Sequence, residues 1–153
     1  METIGIVPGE VQGECACSGE LFIEDDGELG SYDIDDPHEL GKLGERVAAC
    51  YLEAMGFAVI ERNWRCSYGE VDIVAQDDDE TILVEVKTRR GRRALPEMAV
   101  DAAKRERYRR LSLRYLMEHR DAHALRFDVI AVSVADRAGA RVHHLMGACS
   151  WDS

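Results

Sequence analysis

The fold of this chain is decided by two apolar runs, Gly69-Glu-Val-Asp-Ile-Val-Ala-Gln76 and Thr81-Ile-Leu-Val-Glu-Val-Lys-Thr88. Both runs are rich in β-branched residues and alternate in polarity, which is typical of β-strands. The polar segment Asp77-Asp-Asp-Glu80 separates them and suits a tight turn. The stretch therefore predicts a β-hairpin over residues 69–88.

The register of this hairpin follows if it closes symmetrically about the middle of the turn. Asp72 then lies opposite Glu85. Closer to the open end, Glu70 lies opposite Lys87, and we expect an ion pair that orients the lysine. Strand alternation places these four side chains on one face. The other face is predicted to carry four apolar side chains: Val71, Ile73, Val84 and Val86.

Opposed carboxylates at this register predict a cation site. Directly opposed β-carbons lie about 4.5–5.5 Å apart, so Asp72 and Glu85 are close enough to share one ion. Like charges at such a pair destabilise a sheet unless they are neutralised, and Mg²⁺, with Mn²⁺ as an alternative, is a hard cation suited to carboxylates. With Lys87 placed to orient or activate a water, the chemistry indicated is metal-assisted phosphodiester hydrolysis. The alternative is an exposed hairpin face on which Lys87 neutralises a carboxylate and no metal binds.

The elements around the hairpin are predicted from periodicity and from helix and turn signals. Apolar residues at helical spacing predict a first helix over about residues 39–55, which Gly56 ends in a left-handed conformation. Pro96 suits the first turn of a second helix that reaches about Glu118. Further strands are predicted at 57–61, 125–134 and 141–145. The order α-β-β-β-α-β-β indicates a mixed α/β domain.

With 153 residues, the chain is long enough for one domain. We expect a tail over residues 1–37, a domain over 38–149 and a C-terminal tail over 150–153. The first segment is acidic and contains few large apolar residues, which predicts disorder. No run approaches the ~18 apolar residues of a membrane helix, and no secretory signal is present, so a cytoplasmic protein without a membrane partner is expected.

The charge is distributed unevenly along the chain. The net charge of −11 argues against a nucleic-acid partner, but residues 1–40 contain twelve acids and no Lys or Arg. Residues 87–114 contain eleven bases and three acids, a net charge of +8. This segment is predicted to hold a nucleic-acid backbone, and the alternative is a solvated basic loop. Its candidate contacts are Arg89, Arg90, Arg92, Arg93, Lys104 and Arg107. The acidic tail is a candidate to cover this basic loop or to contact a protein partner.

Several motifs in this order resemble the bacterial YraN-like family over residues 40–147. They are Gly44-Glu-Arg-Val-Ala, Tyr51-Leu-Glu-Ala-Met-Gly-Phe57, Glu61-Arg-Asn-Trp-Arg-Cys66, Gly69-Glu-Val-Asp-Ile-Val-Ala75, Val84-Glu-Val-Lys-Thr-Arg89, Ala99-Val-Asp101 with Lys104, and Arg126-Phe-Asp-Val129. That family is similar to archaeal Holliday-junction resolvases within the PD-(D/E)xK nuclease superfamily.

The resemblance implies a restriction-endonuclease-like mixed sheet flanked by helices. It implies that Asp72 and Glu85 are metal ligands, that Lys87 is the catalytic lysine, and that Glu45 is a further acid beside the metal. Structured or branched DNA is the implied substrate. A homodimer is implied as well, because a symmetric cut of a four-way junction needs paired sites.

Some positions stay open at this stage. Glu45 lies off the polar arc of helix one, so it either supports the site or is a first-turn acid favoured by the helix dipole. Lys104 interrupts the inward stripe of helix two, and it either extends out to solvent or reaches a phosphate. Trp64 and Tyr68 either pack or stack on an unpaired base. Asp128 is either an acid that supports the site or a surface residue.

A binding module that keeps the fold without catalysis is the rival interpretation. The presence of Asp72, Glu85 and Lys87 weighs against it, because carboxylates repel phosphate and a pure binding module would have no need of them.

Overall fold

The computed structural model describes residues 4–8, 16–23, 33–91, 100–122, 124–135 and 139–148. These residues form seven strands and two helices. In chain order they are β1 (Ile4–Pro8), β2 (Ala16–Ile23), α1 (Pro37–Ala54), β3 (Ala58–Cys66), β4 (Gly69–Asp77), β5 (Glu80–Arg90), α2 (Ala102–Glu118), β6 (Ala124–Ala135) and β7 (Gly139–Leu145). From α1 onward the predicted order of elements is confirmed.

The strands form one mixed sheet in the order β1-β2-β7-β6-β5-β4-β3. Neighbouring strands are antiparallel except β5 and β6, which are parallel. A parallel pair needs a crossover connection, and α2 lies in that connection. The two longest strands, β5 and β6, lie side by side in the interior of the sheet and contribute side chains to the cores on both faces.

The two helices cover opposite faces of the sheet. The core under α1 contains aliphatic side chains of the helix and of the central strands, namely Leu43, Val47, Leu52, Ile73, Ile82, Val84, Ile130 and Val132. The core under α2 is more aromatic and contains Trp64, Val71, Val74, Tyr108, Leu111, Tyr115, Phe127 and Val129. Val71 was predicted to share a face with Ile73, and this is wrong because the two residues lie in different cores. The cause is an irregularity in the hairpin, described below.

Local sequence signals fix the ends of α1. The Asp36 carboxylate accepts the backbone N–H of His38 at 2.7 Å, and Pro37 occupies the first turn, where its missing N–H has no cost. Gly56 follows the helix with φ of +95°, as predicted. Neither α1 nor α2, the helices that the described residues contain, has the length and apolar character needed to cross a membrane.

The second helix begins later than predicted. Val100 and Asp101 are not helical, and α2 starts at Ala102 because the Asp101 side chain accepts the N–H of Lys104 at 2.9 Å and caps the first turn. Pro96 lies outside the described residues. The sequence predicts an inward stripe of Val100, Tyr108, Leu111 and Tyr115; the last three are buried on α2, whereas Val100 precedes the helix.

The structure differs from the predicted disordered tail at two segments of residues 1–37. Residues 4–8 and 16–23 form β1 and β2, which extend the sheet beyond β7. Each segment is a short β-prone run among acidic and glycine residues. β1 pairs with β2, and β2 joins the sheet through β7, a strand more than one hundred residues away, which no local pattern reveals. The other residues up to 32, and the predicted C-terminal tail over 150–153, lie outside the described residues.

Candidate active site

The predicted hairpin register is confirmed where the two strands pair. The pairs run from Asp77↔Glu80 to Ile73↔Val84, and each pair of numbers sums to 157 as predicted. Among the described residues, β4 and β5 have no pair beyond this point. Asp72 therefore does not join Glu85 in a ladder position. Its side-chain Oδ2 instead accepts the backbone N–H of Val86 at 2.8 Å, so a carboxylate takes the place of a strand partner.

An irregular residue on β3 accompanies this break. Asn63 has a left-handed backbone with φ of 55°, between the paired positions Arg62↔Ile73 and Trp64↔Val71. Asn is one of the few residues that adopts this conformation at low cost. Side-chain alternation along β4 changes at the same level, which explains why Val71 and Ile73 lie in different cores.

Asp72 is partly buried and surrounded by other acids. Burial raises the pKa of Asp72 from 3.8 to about 6, although the hydrogen bond from Val86 acts in the opposite direction. The carboxylates of Glu45, Glu85 and Glu70 contribute to this rise. The structure thus brings negative charge together at the point where β4 and β5 separate.

Glu45 reaches this point from α1. The helix approaches β5 closely because Gly44 has no side chain: a β-carbon there would lie 1.7 Å from Thr88 Oγ1. Glu45 is partly buried, as its position off the polar arc indicated. The pKa of Glu45 is raised, mainly by burial. The nearby charge of Arg62 lowers this pKa, and the charge of Glu70 raises it. Glu45 is therefore within electrostatic range of the Asp72 cluster.

Glu85 is held by α2. Its Oε2 accepts a hydrogen bond from Arg107 Nη2 at 2.8 Å in an ion pair, and 22% of the Glu85 side chain is exposed. The Tyr108 hydroxyl is buried nearby and has no hydrogen-bond partner of ordinary geometry among the described residues. Burial raises the pKa of Tyr108, and the charge of Glu85 raises it further. A buried hydroxyl beside a carboxylate is a donor that a ligand or a water at this site can use.

Lys87 is partly buried beside Lys104. Burial lowers the pKa of Lys87, and the neighbouring Lys104 amine lowers it further, while Glu85 raises it. Lys104 therefore lies beside Lys87, and a contact between Lys104 and a phosphate stays a prediction. The predicted ion pair of Glu70 with Lys87 is wrong. Because β4 and β5 separate before that level, Glu70 stays with β3 and pairs with Arg65 at 3.3 Å.

The basic residues after β5 are described only in part. Arg89 and Arg90 are exposed at the end of the strand, and Arg92 and Arg93 lie outside the described residues. Arg90 forms an ion pair with Asp35 of the acidic N-terminal segment. This pair joins the acidic segment to the basic loop, while a wider cover of that loop by the tail stays a prediction.

The donor chemistry of the cluster fits Mg²⁺. Asp72, Glu85 and Glu45 offer carboxylate oxygens. Burial, and to a smaller extent the neighbouring acids, raise the pKa of Asp72, and a cation would favour its charged form. Among the described residues, however, no three acidic, His or Cys side chains stand close enough together to hold one ion. An ion here would be held by one or two carboxylates, with water or phosphate oxygens completing its shell, as is common for Mg²⁺. Glu85 would first have to leave Arg107.

Asp128 is not the surface residue that one of the two alternatives described, and a supporting part in the site stays a prediction. It is fully buried, and it accepts hydrogen bonds from Arg126 at 2.8 Å and the Gly147 N–H at 2.9 Å. Its Oδ2 also lies 2.7 Å from His144 Nε2, and the other ring nitrogen of His144 lies 3.4 Å from the Tyr51 hydroxyl. Burial alone would raise the pKa of Asp128, but the His144, Arg126 and Gly147 contacts lower it overall. The sequence signal for a special role of Asp128 was its position between two apolar residues of a strand. Its partner His144 and the Gly147 N–H come from a later part of the chain, so the sequence pattern could not identify them.

The two aromatic residues before the hairpin have different roles. Trp64 is buried and packs edge-on against Tyr115, with ring centroids 5.1 Å apart. Tyr68, in the turn between β3 and β4, is 50% exposed. The packing alternative therefore applies to Trp64, and Tyr68 stays available to a ligand.

Residues 44–132 match the family described as Uncharacterised protein family UPF0102. A UPF0102 protein of Beutenbergia cavernae is 50% identical over 111 residues, which cover 71% of this chain and 93% of the relative. A UPF0102 protein of Syntrophus aciditrophicus is 49% identical over 96 residues, 61% of this chain and 76% of the relative. The solved structure of Pyrococcus furiosus SfsA in complex with Ca²⁺ aligns with 95% of this chain and with 76% of the SfsA chain, at 12% sequence identity. Its TM-score of 0.29 supports no conclusion. The chain therefore belongs to family UPF0102, the YraN-like family that its motifs resemble.

Proposed function

We propose that this protein is a metal-dependent endonuclease of the PD-(D/E)xK kind that hydrolyses phosphodiester bonds in structured or branched DNA. One observation carries the proposal: Asp72, Glu85 and Lys87 converge where β4 and β5 separate, and the pKa of Asp72 rises to about 6 there. Strongly perturbed groups in one place are typical of functional sites. The same three residues were selected from the sequence on separate grounds.

Each side chain has a distinct part in this proposal. Asp72 and Glu85 hold the cation, and Glu45 supports them from α1. Bound Mg²⁺ supplies Lewis-acid stabilisation of the charge that develops on the phosphate. Lys87 acts at the attacking water: its lowered pKa raises the fraction of neutral amine, which accepts a proton as the water oxygen bonds to phosphorus and the leaving oxygen departs.

The basic side chains beside the site hold the DNA backbone. Lys104 and Arg107 lie on α2 next to the cluster, and Arg89 and Arg90 continue the strand that carries Glu85. Contacts of this kind go to phosphates and give affinity that falls with salt and does not depend on sequence. DNA shape would then determine which substrate is preferred.

A cleavage assay with matched variants tests this function. Wild type, Asp72→Asn and Asp79→Asn are compared on labelled four-way junction, flap, single-stranded and duplex DNA with Mg²⁺, Mn²⁺ or EDTA. Asp79 is the control because it undergoes the same chemical change in the exposed turn at the far end of the hairpin. We expect metal-dependent cleavage by wild type and Asp79→Asn, reduced at least ~100-fold in Asp72→Asn. Equal cleavage by all three proteins would exclude the assigned site.

A second candidate is a DNA-binding module without catalysis. The ion pair of Glu85 with Arg107 favours it, because this pair neutralises a predicted metal ligand within the chain. The two functions differ in their response to Mg²⁺. A metal site raises the melting temperature as Mg²⁺ is added, whereas a pure binding module gives no such response and binds DNA without cutting it.

A further inference from the structure

An open cleft of about 270 Å³ lies next to the candidate active site, between the β3–β4 turn and α2. Its lining consists of Tyr68, Ala103, Glu106, Arg107 and Arg110. Arg107 belongs to both places, because it lines the cleft and donates to Glu85 at 2.8 Å. Whatever binds in the cleft is therefore adjacent to the acidic cluster.

One wall of the cleft is an exposed aromatic ring. Tyr68 is 50% exposed, and its turn is held by the bond from its backbone N–H to Cys66 Sγ at 3.4 Å. Gly69 follows with φ of +138°, and a β-carbon at this glycine would be 3.9 Å from Leu111 of α2, so the turn lies against the helix. The Tyr68 ring makes no ring contact within the described residues. It is thus fixed near α2 with a face that solvent can reach.

The other wall carries the guanidinium groups of Arg107 and Arg110, each paired with a carboxylate. The side chains of Arg107 and Arg110 are 49% and 59% exposed. Glu106 is already paired with Arg110 at 3.1 Å, so its charge is compensated. A guanidinium has five N–H donors. Arg107 donates to Glu85 and Arg110 donates to Glu106, which leaves further donors for phosphate oxygens.

We infer that the cleft is a subsite for one unpaired nucleotide, whose base stacks on Tyr68 while its phosphate contacts Arg107 and Arg110. An aromatic face opposite guanidinium groups is the combination that single-stranded nucleic acid uses. The volume is just below the range of about 300–1,000 Å³ that drug-sized ligands occupy, which suits a single nucleotide better than a larger group. The inference rests on the proposed function for the neighbouring phosphodiester site, and it specifies the substrate: DNA with an unpaired base next to the cut.

Binding in EDTA tests the subsite without any cleavage. The full-length protein is titrated with a flap oligonucleotide that carries 2-aminopurine at the unpaired position, and with a continuous duplex. Wild type and Tyr68→Phe, which keeps the ring, should quench the fluorescence of the probe by stacking. Tyr68→Ala should remove the quenching and weaken flap binding by roughly 5- to 100-fold, with unchanged affinity for the duplex. Because Tyr68 is exposed, urea unfolding of all three proteins should coincide.

Two results would overturn the subsite. One is equal flap affinity and equal quenching in Tyr68→Ala and wild type. The other is the same loss on flap and on duplex, which would make Tyr68 a general surface contact. The nuclease proposal fails separately, by absence of metal-dependent cleavage in wild type. If wild type does not cleave DNA but still quenches the probe in EDTA, the subsite is supported and the nuclease proposal fails. If Tyr68→Ala cleaves DNA as fast as wild type does, the nuclease proposal stands and the subsite has no part in cleavage.

Discussion

Replacing Asp72 by Asn should stabilise the metal-free protein while removing its proposed function. The carboxylate is partly buried among Glu45, Glu85 and Glu70, and these acids and burial make its charged form unfavourable. Asn has nearly the same shape and no charge. Its side-chain oxygen can still accept the N–H of Val86, so the hydrogen bond at 2.8 Å is kept.

The magnitude follows from the pKa. A shift from 3.8 to about 6 is about two units, and at about 1.4 kcal/mol per unit the ionised form costs the fold about 3 kcal/mol. Since the folded pKa lies above the unfolded one, the folded state binds the proton more tightly. The stability from neutral Asp72 is complete below about pH 4 and is lost as the pH rises through about 6. Above that, Asp72→Asn should exceed wild type by about 2–3 kcal/mol, or roughly 4–12 °C in melting temperature.

Urea unfolding in EDTA at about pH 8 and about pH 4 measures this difference, on either side of the Asp72 pKa of about 6. Asp79→Asn is the matched control, because this aspartate is exposed in the turn and its replacement should change stability by less than about 0.5 kcal/mol. The gain in Asp72→Asn should be large at the higher pH and nearly absent at the lower one. A gain that is equal at both pH values, or a loss at the higher one, would refute the electrostatic reasoning.

Mg²⁺ titration of the same proteins in buffer without EDTA tests whether an ion binds at Asp72. Wild type should gain about 1.4 kcal/mol for each tenfold increase in Mg²⁺ above its dissociation constant. Asp72→Asn should gain far less, because one carboxylate ligand is gone. If both proteins respond equally, the ion binds elsewhere on the chain.

Three further substitutions test the surroundings of the site. Lys104→Met removes the charge beside Lys87, so the Lys87 pKa should rise, which NMR titration of ¹³C-labelled lysine can follow; an unchanged titration would show that burial alone lowers it. Gly44→Ala should destabilise the fold by about 1–3 kcal/mol despite the better helix propensity of Ala, because the new β-carbon would lie 1.7 Å from Thr88 Oγ1. A Thr88→Ala background should recover only part of this loss, since the new β-carbon would still lie 2.7 Å from the β-carbon of residue 88. Asp128→Asn should cost about 3 kcal/mol at neutral pH, and the loss should shrink as pH falls toward the lowered Asp128 pKa; no loss in urea unfolding would mean that its contacts are dispensable.

The sequence was sufficient to predict the register of the hairpin but not the residue at which its two strands stop pairing. Alternation and turn symmetry fixed Ile73 opposite Val84, and these depend only on neighbouring residues. The separation that begins at Asp72 depends on the left-handed Asn63 of another strand and on a hydrogen bond from Val86. Sequence patterns carry no information on such a bond, so the sequence placed two acids in a ladder pair that the structure opens.

The same distinction between local and distant partners applies elsewhere. The stripe of α2 and the cap at Gly56 are local and were predicted correctly. Strands β1 and β2 depend on the free edge of β7, and Glu70 depends on β3, so both were assigned differently from the sequence. Lys104 was recognised in the sequence as a charged residue within the inward stripe of α2. Its proximity to Lys87 of β5 is known only from the structure.

Asp72 and Asp128 show how differently this fold treats two aspartates of the same sheet. Asp128 is the more buried of the two, yet its pKa is lowered, because Arg126, His144 and a backbone N–H compensate its charge. Asp72 accepts one backbone N–H and is otherwise surrounded by acids, and its pKa is raised. A chain that compensates one buried carboxylate so fully has the means to compensate another. Among the described residues no cationic side chain forms an ion pair with Asp72, and the cation that we propose at this site would supply the missing compensation.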